Sequence, residues 1–306
     1  MCGIMGYYSF GSIMPDKKKL EKMFTLLETR GKDASGFAFI DPATQKLKVT
    51  KAPVPSTNLI KYPHWTTLEL PKIMIFHTRM KTQGEPSNNM NNHPLFTKDG
   101  LAIVHNGQIF NDKEIFTRKV KRDAQVDSEA ILAILSKNRK EKDRIKQLFD
   151  SLDGAFAVAS IDEHEPNKLT LIKKDNPIEL YYNSKDDILY FCSELRIMKE
   201  ALGVDPTYQR GFSIGENNYH SYEMEDNHAL IINVNGVESY KQYHPRFDFG
   251  YGFGYGNINN PFSQSYDDSI LMECPYCYGA TRYDWIKLDN RCEHCGQYIT
   301  EEDIYV

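Results

Sequence analysis

A cysteine stands at position 2 of this chain, in the stretch MCGIMGYYSF, with strand-forming residues straight after it. Aminopeptidases remove an initiator methionine when the next residue is small, and cysteine qualifies. Cys2 would then carry a free α-amine, whose pKa is ordinarily about 8. One residue would supply a sulfur nucleophile and a base beside it. Four other stretches hold groups that can do chemistry: TRGKDASG (29–36), FHTRMKTQGEPSNNMNNHP (76–94), VHNGQIFN (104–111) and VDSEAIL (126–132). Each alone also has an ordinary structural reading. The first is a turn, the second a strand end, Asn-Gly a hairpin, and Asp127 a helix cap.

A separate constellation lies near the C-terminus, in CPYCYGATRYDWIKLDNRCEHC (274–295). Cys274, Cys277, Cys292 and Cys295 form two Cys-x-x-Cys pairs separated by 14 residues. Two such pairs can give four thiolates to one tetrahedral ion. The gap is slightly below the usual window of about 15–20 residues, within reach of a small β-hairpin module. Structural zinc is the expected occupant. Iron and a redox dithiol are the alternatives, and His294 could replace a neighbouring ligand.

The elements that must hold these groups can be read from periodicity. Residues 2–9 read as a strand. PDKKKLEKMFTLLETRG reads as an amphipathic helix, with Leu20, Met23, Phe24 and Leu27 on one face and Gly31 just past its end. Short strands follow at GFAFID, KLKVT, IMIFHTR and LAIVHNG. Two helices come next, at DSEAILAILSKN and EKDRIKQLFDSLD, and then strands at GAFAVASID, KLTLIKK, IELYYN, ILYFCS and HALIINV. Strands, a helix pair and more strands predict an α+β architecture of layered sheets. From residue 242 the composition changes to alternating glycine and aromatics, in HPRFDFGYGFGYGNINNPFSQSYDD, which reads as an irregular linker. The expected domains are therefore 2–241, a linker at 242–270, and a metal-binding module at 271–306.

The 306 residues can bury a sizeable core, and 41% hydrophobic with 26% charged residues is ordinary for a globular protein. A net charge of −5 offers no general basic surface for nucleic acid or an anionic membrane. From residue 271 onward three basic residues (Arg282, Lys287, Arg291) stand against seven acidic ones, so nucleic-acid binding by the cysteine module is not expected. No apolar run approaches a membrane span, and the N-terminus lacks a signal peptide's pattern. A cytoplasmic protein is expected, and cysteines spaced for a metal rather than for disulfides agree with it.

In their order and spacing, MCGI, TRGKDASG, FHTR, VHNG and VDSEAIL resemble the glutaminase domain of class II glutamine amidotransferases, most closely the glucosamine-6-phosphate synthase type. The likeness covers roughly residues 2–241 and includes GAFAVA at 154–159. It implies a four-layer αββα sandwich of the N-terminal-nucleophile hydrolases. It also implies hydrolysis of glutamine to glutamate and ammonia through a Cys2 thioester, with no cofactor for that step. Carried over residue by residue, Cys2 is the nucleophile. Asn106 and Gly107 form the oxyanion hole, and Arg30 orders the nucleophile's neighbourhood. Arg79 grips the glutamine α-carboxylate, which a guanidinium can do bidentately. Asp127 takes the α-ammonium, while Thr82 and Gln83 complete the pocket from a loop.

Two residues depart from the family pattern. Met80 stands where an aromatic is common and Gln83 where many relatives have histidine, so the lid and its coupling to a second site differ while the hydrolytic set is kept. The order Ala-Ser in RGKDASG is also reversed from the usual. His77, His93 and His105 are expected to be structural, because the N-terminal amine already serves as base, and Cys192 to be a buried apolar residue. No segment is large enough for an ammonia-using synthase and there is no P-loop, so the acceptor is expected on another chain. Two other readings compete: an amidohydrolase of another γ-glutamyl amide, and a catalytically idle fold kept for binding.

Overall fold

The first strand, β1 (Gly3–Ser9), is buried along its whole length, which requires cover on both of its faces. The cover is assembled from the rest of the chain. In order come α1 (Lys17–Leu26), β2 (Ala34–Ile40), β3 (Leu47–Ala52), α2 (Ser56–Leu59), α3 (Pro63–Thr66), β4 (Ile73–Arg79), β5 (Leu95–Phe96), β6 (Leu101–Ile109) and α4 (Asp112–Ile115). Then follow α5 (Ser128–Lys137), α6 (Arg144–Ser151), β7 (Gly154–Asp162), β8 (Glu165–Lys174), β9 (Glu179–Asn183), β10 (Ile188–Cys192), α7 (Leu195–Leu202), β11 (Thr207–Tyr208), β12 (His220–Glu223), β13 (His228–Asn233) and β14 (Gly236–Gln242). The computed structural model describes residues 2–116, 121–137, 144–208, 220–243, 269–273 and 280–284.

Two sheets result. The first has eight strands in the order β11-β12-β9-β10-β1-β4-β2-β3, and the second six in the order β14-β13-β8-β7-β6-β5. Neighbouring strands run antiparallel except for the short pair β11–β12. Successive side chains on a strand point to opposite faces, and β1 shows the consequence. Ile4 and Tyr8 enter the core between the sheets, where Ile75 meets Val104, Ala157 and Leu171 of the second sheet. Met5 and Tyr7 enter a different core, with Leu20, Met23 and Phe24 of α1 and Ile197 of α7. On the far face of the second sheet, Ile103, Phe156 and Val158 pack on Ile131 of α5 and Leu148 of α6. Three cores between four layers make the αββα sandwich that the family resemblance implies.

Helix α1 begins on Asp16, whose carboxylate accepts from the backbone N–H of Lys18 at 2.8 Å and of Lys19 at 3.3 Å. It ends earlier than the apolar periodicity implies. Leu27 belongs to a 3₁₀ turn, Leu27–Arg30, and its carbonyl accepts the Thr78 hydroxyl at 2.9 Å. That tighter turn delivers Arg30 to the start of β1. Helix α7 was not foreseen. Its buried residues Ile197, Met198, Ala201 and Leu202 face the first sheet, and Gly203 stops it in a left-handed conformation with φ 67°.

The chain divides into two compact units, Met1–Asp248 and Phe249–Val306. In the second, β15 (Ser269–Glu273) pairs antiparallel with β16 (Ala280–Asp284). Cys274, Cys277, Cys292, Cys295 and His294 lie outside the described residues, as do residues 244–268 of the expected linker. Among the described residues no helix is long and apolar enough to cross a membrane.

Candidate active site

Cys2 immediately precedes β1, at the point where β1 leaves β4. The register pairs Gly3 with Thr78, so Cys2 comes level with the end of β4. There its thiol donates to the Met80 carbonyl, 3.6 Å from Sγ. Gly31 packs closely on the peptide between Arg79 and Met80, where a Cβ on it would stand 2.3 Å from the carbonyl carbon of Arg79 and the nitrogen of Met80. The buried Arg30 ties down the nucleophile's backbone rather than its sulfur. Its Nε donates to the Cys2 carbonyl at 2.8 Å and its Nη1 to Glu194 Oε1 at 2.9 Å. Burial alone would raise the Glu194 carboxyl. The hydrogen bonds and charges of Arg30 and Arg196 outweigh it and hold that group below its ordinary value.

Burial pushes the Cys2 thiol above its ordinary pKa, against the opposing effects of the Met80 carbonyl and the Arg79 charge, and the Asp127 carboxylate adds to the rise. Arg79 and Asp127 therefore both act on the sulfur, although 48 residues separate them in sequence. At neutral pH the thiol keeps its proton and needs a base to become a nucleophile.

Arg79 is the last residue of β4 and only 2% exposed. Its guanidinium is held by the loop that follows. Nη1 donates to Asn92 Oδ1 at 2.7 Å, and Nη2 donates to the Gly84 carbonyl at 2.7 Å and to the Gln83 carbonyl. Asn92 is itself fixed, its Nδ2 donating to the Pro86 carbonyl at 2.7 Å. Asp33 supports the same corner: its N–H donates to the Arg79 carbonyl at 2.9 Å and its carboxylate accepts from the Lys81 N–H at 2.6 Å. The side chains of Thr82 and Gln83 are exposed, and Gln83 reaches Arg79 through its backbone only. Three neutral oxygens thus occupy three of the five guanidinium donors.

Asn106 and Gly107 lie near the end of β6, on the opposite sheet. Asn106 is 1% exposed, and neither its Nδ2 nor its Oδ1 has a hydrogen-bond partner among the described residues. A buried amide left in that state costs roughly 1–3 kcal/mol, which marks a group kept for something other than stability. Gly107 has φ 151°, and a Cβ there would lie 2.0 Å from the Ala155 carbonyl oxygen. No other residue fits. Asp127 joins this strand to α5: Oδ2 accepts the Ile109 N–H at 2.7 Å and Oδ1 the Ser128 N–H at 2.9 Å. The Ser128 hydroxyl is a longer third donor, 3.4 Å from Oδ1, and a carboxylate has about four acceptor positions, so one remains for a ligand. Ser128 adds a second tie, with its Oγ 2.7 Å from His105 Nδ1.

The three histidines lie between or behind the sheets. His77 Nε2 bonds the His105 carbonyl at 2.9 Å across the inter-sheet space, and the rings of His77 and His93 stack with centroids 4.2 Å apart. Burial pushes His77 down to about 3, His93 well below its ordinary value and His105 in the same direction. All three are neutral at pH 7, and among the described residues none bonds Cys2. Cys192 is fully buried, with burial raising its thiol to about 12. Sequence reasoning named neither Asn92 nor Glu194. The asparagine run in SNNMNNHP was a visible signal for the first, whereas Glu194 lies 164 residues from its partner Arg30 and gives none.

Two facing sheets between helix layers, with a cysteine at the head of a central strand, define the fold of the N-terminal-nucleophile amidotransferases. Two solved structures share it, at identities that speak for the fold alone. One is glutamine phosphoribosylpyrophosphate amidotransferase from B. subtilis (TM-score 0.57, 18% identity, 79% of this chain and 49% of that one). The other is described as the allosteric regulatory enzyme of purine biosynthesis (TM-score 0.59, 19% identity, the same coverage). Residues 77–200 match the family model of the glutamine amidotransferase domain. Glutamine–fructose-6-phosphate aminotransferase of Tropheryma whipplei is 32% identical over 200 residues, covering 62% of this chain and 32% of that protein. The protein of the same name from Aquifex aeolicus is 35% identical over 186 residues, covering 58% and 30%. Over residues 77–200 the chain carries a class II glutamine amidotransferase domain. It spans about a third of the length of these curated relatives.

Proposed function

We propose that this chain hydrolyses glutamine to glutamate and ammonia through a thioester on Cys2, once Met1 is removed. The observation that carries the reading is the buried, unpartnered Asn106 amide on one sheet, with a cysteine on the facing sheet whose sulfur feels both Arg79 and Asp127. Glutamine would displace the Gln83 and Gly84 carbonyls from Arg79 and place its α-carboxylate there. Its ammonium would use the remaining acceptor position of Asp127, with Thr82 and Gln83 closing the loop over it. The sulfur attacks the amide carbon while the Cys2 α-amine takes the thiol proton, a transfer that the raised thiol pKa makes necessary. Asn106 Nδ2 and the Gly107 N–H donate to the oxyanion. The C–N bond then breaks, and the proton leaves with ammonia. Water releases glutamate from the thioester. Arg30 takes no part in bond changes; it holds the Cys2 carbonyl in place.

Ammonia released here would pass to an acceptor enzyme on another chain. Zinc held by Cys274, Cys277, Cys292 and Cys295 would organise the second unit as a docking or structural module. The pair spacing supports that assignment, as does a β15–β16 hairpin whose strands bracket the first pair in sequence. A cytosolic location belongs to the same reading, since it keeps Cys2 as a thiol.

The test is glutamate release from glutamine, after intact mass has confirmed that Met1 is absent. Turnover that vanishes in Cys2→Ala with folding unchanged is expected. Faster turnover of γ-glutamyl peptides than of glutamine would replace the substrate, and no turnover of either would leave the fold a binding subunit.

A further inference from the structure

A cavity of about 520 Å³ opens beside the clamp, lined in part by Lys51, Lys98, Lys121 and Lys137. That volume is well within the roughly 300–1,000 Å³ of small-molecule sites. Its charge is lopsided. Two carboxylates also line it, Asp123 and Glu129, but Glu129 is already engaged. It accepts the N–H groups of Asp123 and Ala124 at 2.6 and 2.9 Å and lies 3.4 Å from Arg122 Nε. Among the described residues none of the four lysines is ion-paired. Apart from the hydroxyls of Thr97 and Ser136 the rest of the lining is apolar and includes two aromatic rings, Phe96 and Phe116.

We infer that this cavity binds a small organic phosphate carrying a flat ring, the chemistry of a nucleoside monophosphate. Mobile ammonium groups are point charges suited to phosphate oxygens, and the aromatic walls offer a face for stacking. Lys51 already lies over the Phe96 ring, 5.2 Å from its centroid, so charge and ring surface adjoin. Burial and the neighbouring Arg79 push Lys51 down to about 8, a position that an arriving phosphate would relieve.

The cavity also touches the clamp. Lys51 Nζ donates to the Asn92 carbonyl at 2.7 Å, while Arg79 donates to the Asn92 side chain at 2.7 Å. Met90, another wall residue, sits in the 3₁₀ turn Asn89–Asn91 of the same loop. A phosphate that draws Lys51 off Asn92 therefore acts on the residue that orients Arg79. This coupling rests on the glutaminase reading; the binding site does not.

The experiment is calorimetric titration of the full chain with AMP, adenosine and inorganic phosphate, each alone. One saturable AMP site is expected, with adenosine and phosphate each at least about tenfold weaker. The Lys98→Ala/Lys121→Ala chain, altered at two exposed positions, should keep its melting temperature and bind AMP at least about tenfold more weakly. No saturable AMP binding, or equal affinity in the double variant, overturns the site. Phosphate binding as tightly as AMP overturns the role of the rings. In the turnover assay AMP should shift the glutamine KM with little change in kcat. An unmoved KM overturns the coupling alone, and an absence of glutamine turnover leaves the titration result standing.

Discussion

The two halves of the candidate site are built from different materials. The nucleophile stands at the head of β1 and the oxyanion pair on β6, strands buried between layers and fixed by backbone register. The carboxylate clamp ends β4 in a buried arginine, but its surroundings are an exposed loop, residues 80–90, tied down by asparagine side chains and carbonyl oxygens. Groups that stabilise a transition state must already be in place when charge develops, and strands provide that. Groups that admit a substrate must give up one set of partners for another, and a loop provides that. The same arginine has both characters: its backbone is a strand, and its guanidinium belongs to the loop.

If this division is right, damage to the strand half lowers kcat and damage to the loop half raises KM. The largest effect after loss of Cys2 itself is expected from Asn106→Ala. Losing one oxyanion donor typically costs about 10²–10³ in kcat. Because the native amide has no partner to lose, stability should hold or rise slightly. A kcat within about threefold of the parent would place the oxyanion elsewhere.

Arg79→Lys tests the other half. Lysine keeps the charge and loses the fork that spans Asn92 on one side and two carbonyls on the other. KM for glutamine should rise by about 10–100-fold, equivalent to about 1.4–2.8 kcal/mol, with kcat reduced far less. Equal losses in kcat and kcat/KM would move Arg79 from binding to chemistry.

The histidine cluster offers a third way to sharpen the comparison, through stability. Burial holds His77 near 3, with His93 and His105 also depressed, whereas the unfolded chain titrates near 6.5. Below that value the unfolded state takes up protons that the folded state refuses, so stability present at pH 7 is lost as pH falls. Lowering the pH from about 7.5 to 5.5 should cost on the order of 1 kcal/mol per histidine. The urea midpoint should fall over that range, and less steeply in His93→Leu, which removes a ring with no hydrogen-bond partner at either nitrogen among the described residues. Equal slopes in parent and variant would mean that His93 titrates normally.

What could be read from the sequence follows the same division. The strands that carry Arg79 and Asn106 have cover on both faces, and such strands appear as continuous apolar runs, as in IMIFHTR and LAIVHNG. Gly107 was named by resemblance, and the structure supplies the reason for a glycine there, since only glycine tolerates that approach to Ala155. Helix α7 was missed because eight residues give its apolar stripe too few turns to stand out. The Arg30–Glu194 contact was invisible for a different reason: Glu194 follows β10, whose pairing with β1 brings it beside Arg30, and no local pattern records that pairing. For the loop, the sequence named Thr82 and Gln83 by resemblance. The contacts to Arg79 come instead from backbone carbonyls, which any residue can offer, and from Asn92, whose neighbours in the asparagine run look identical to it.

Asn92 is therefore where the division can be broken most gently. Its side chain accepts from Arg79 Nη1 and donates to the Pro86 carbonyl at 2.7 Å and to Asn89 Oδ1 at 3.0 Å. Asn92→Ala removes all three bonds and leaves the catalytic groups untouched. Each neutral or singly charged hydrogen bond contributes about 0.5–3 kcal/mol, and Asn92 is fully buried, so the melting temperature should fall as well. KM should rise by about two- to tenfold, kcat should stay within about twofold, and Asn92→Asp should recover much of the Arg79 contact through its carboxylate. That carboxylate would, however, pair with the guanidinium and compete with the glutamine α-carboxylate, so the Asp variant should have the higher KM of the two. A lower KM in Asn92→Asp than in Asn92→Ala would mean that Asn92 orients Arg79 for the substrate more than it restrains it. The loop would then be part of the preorganised half.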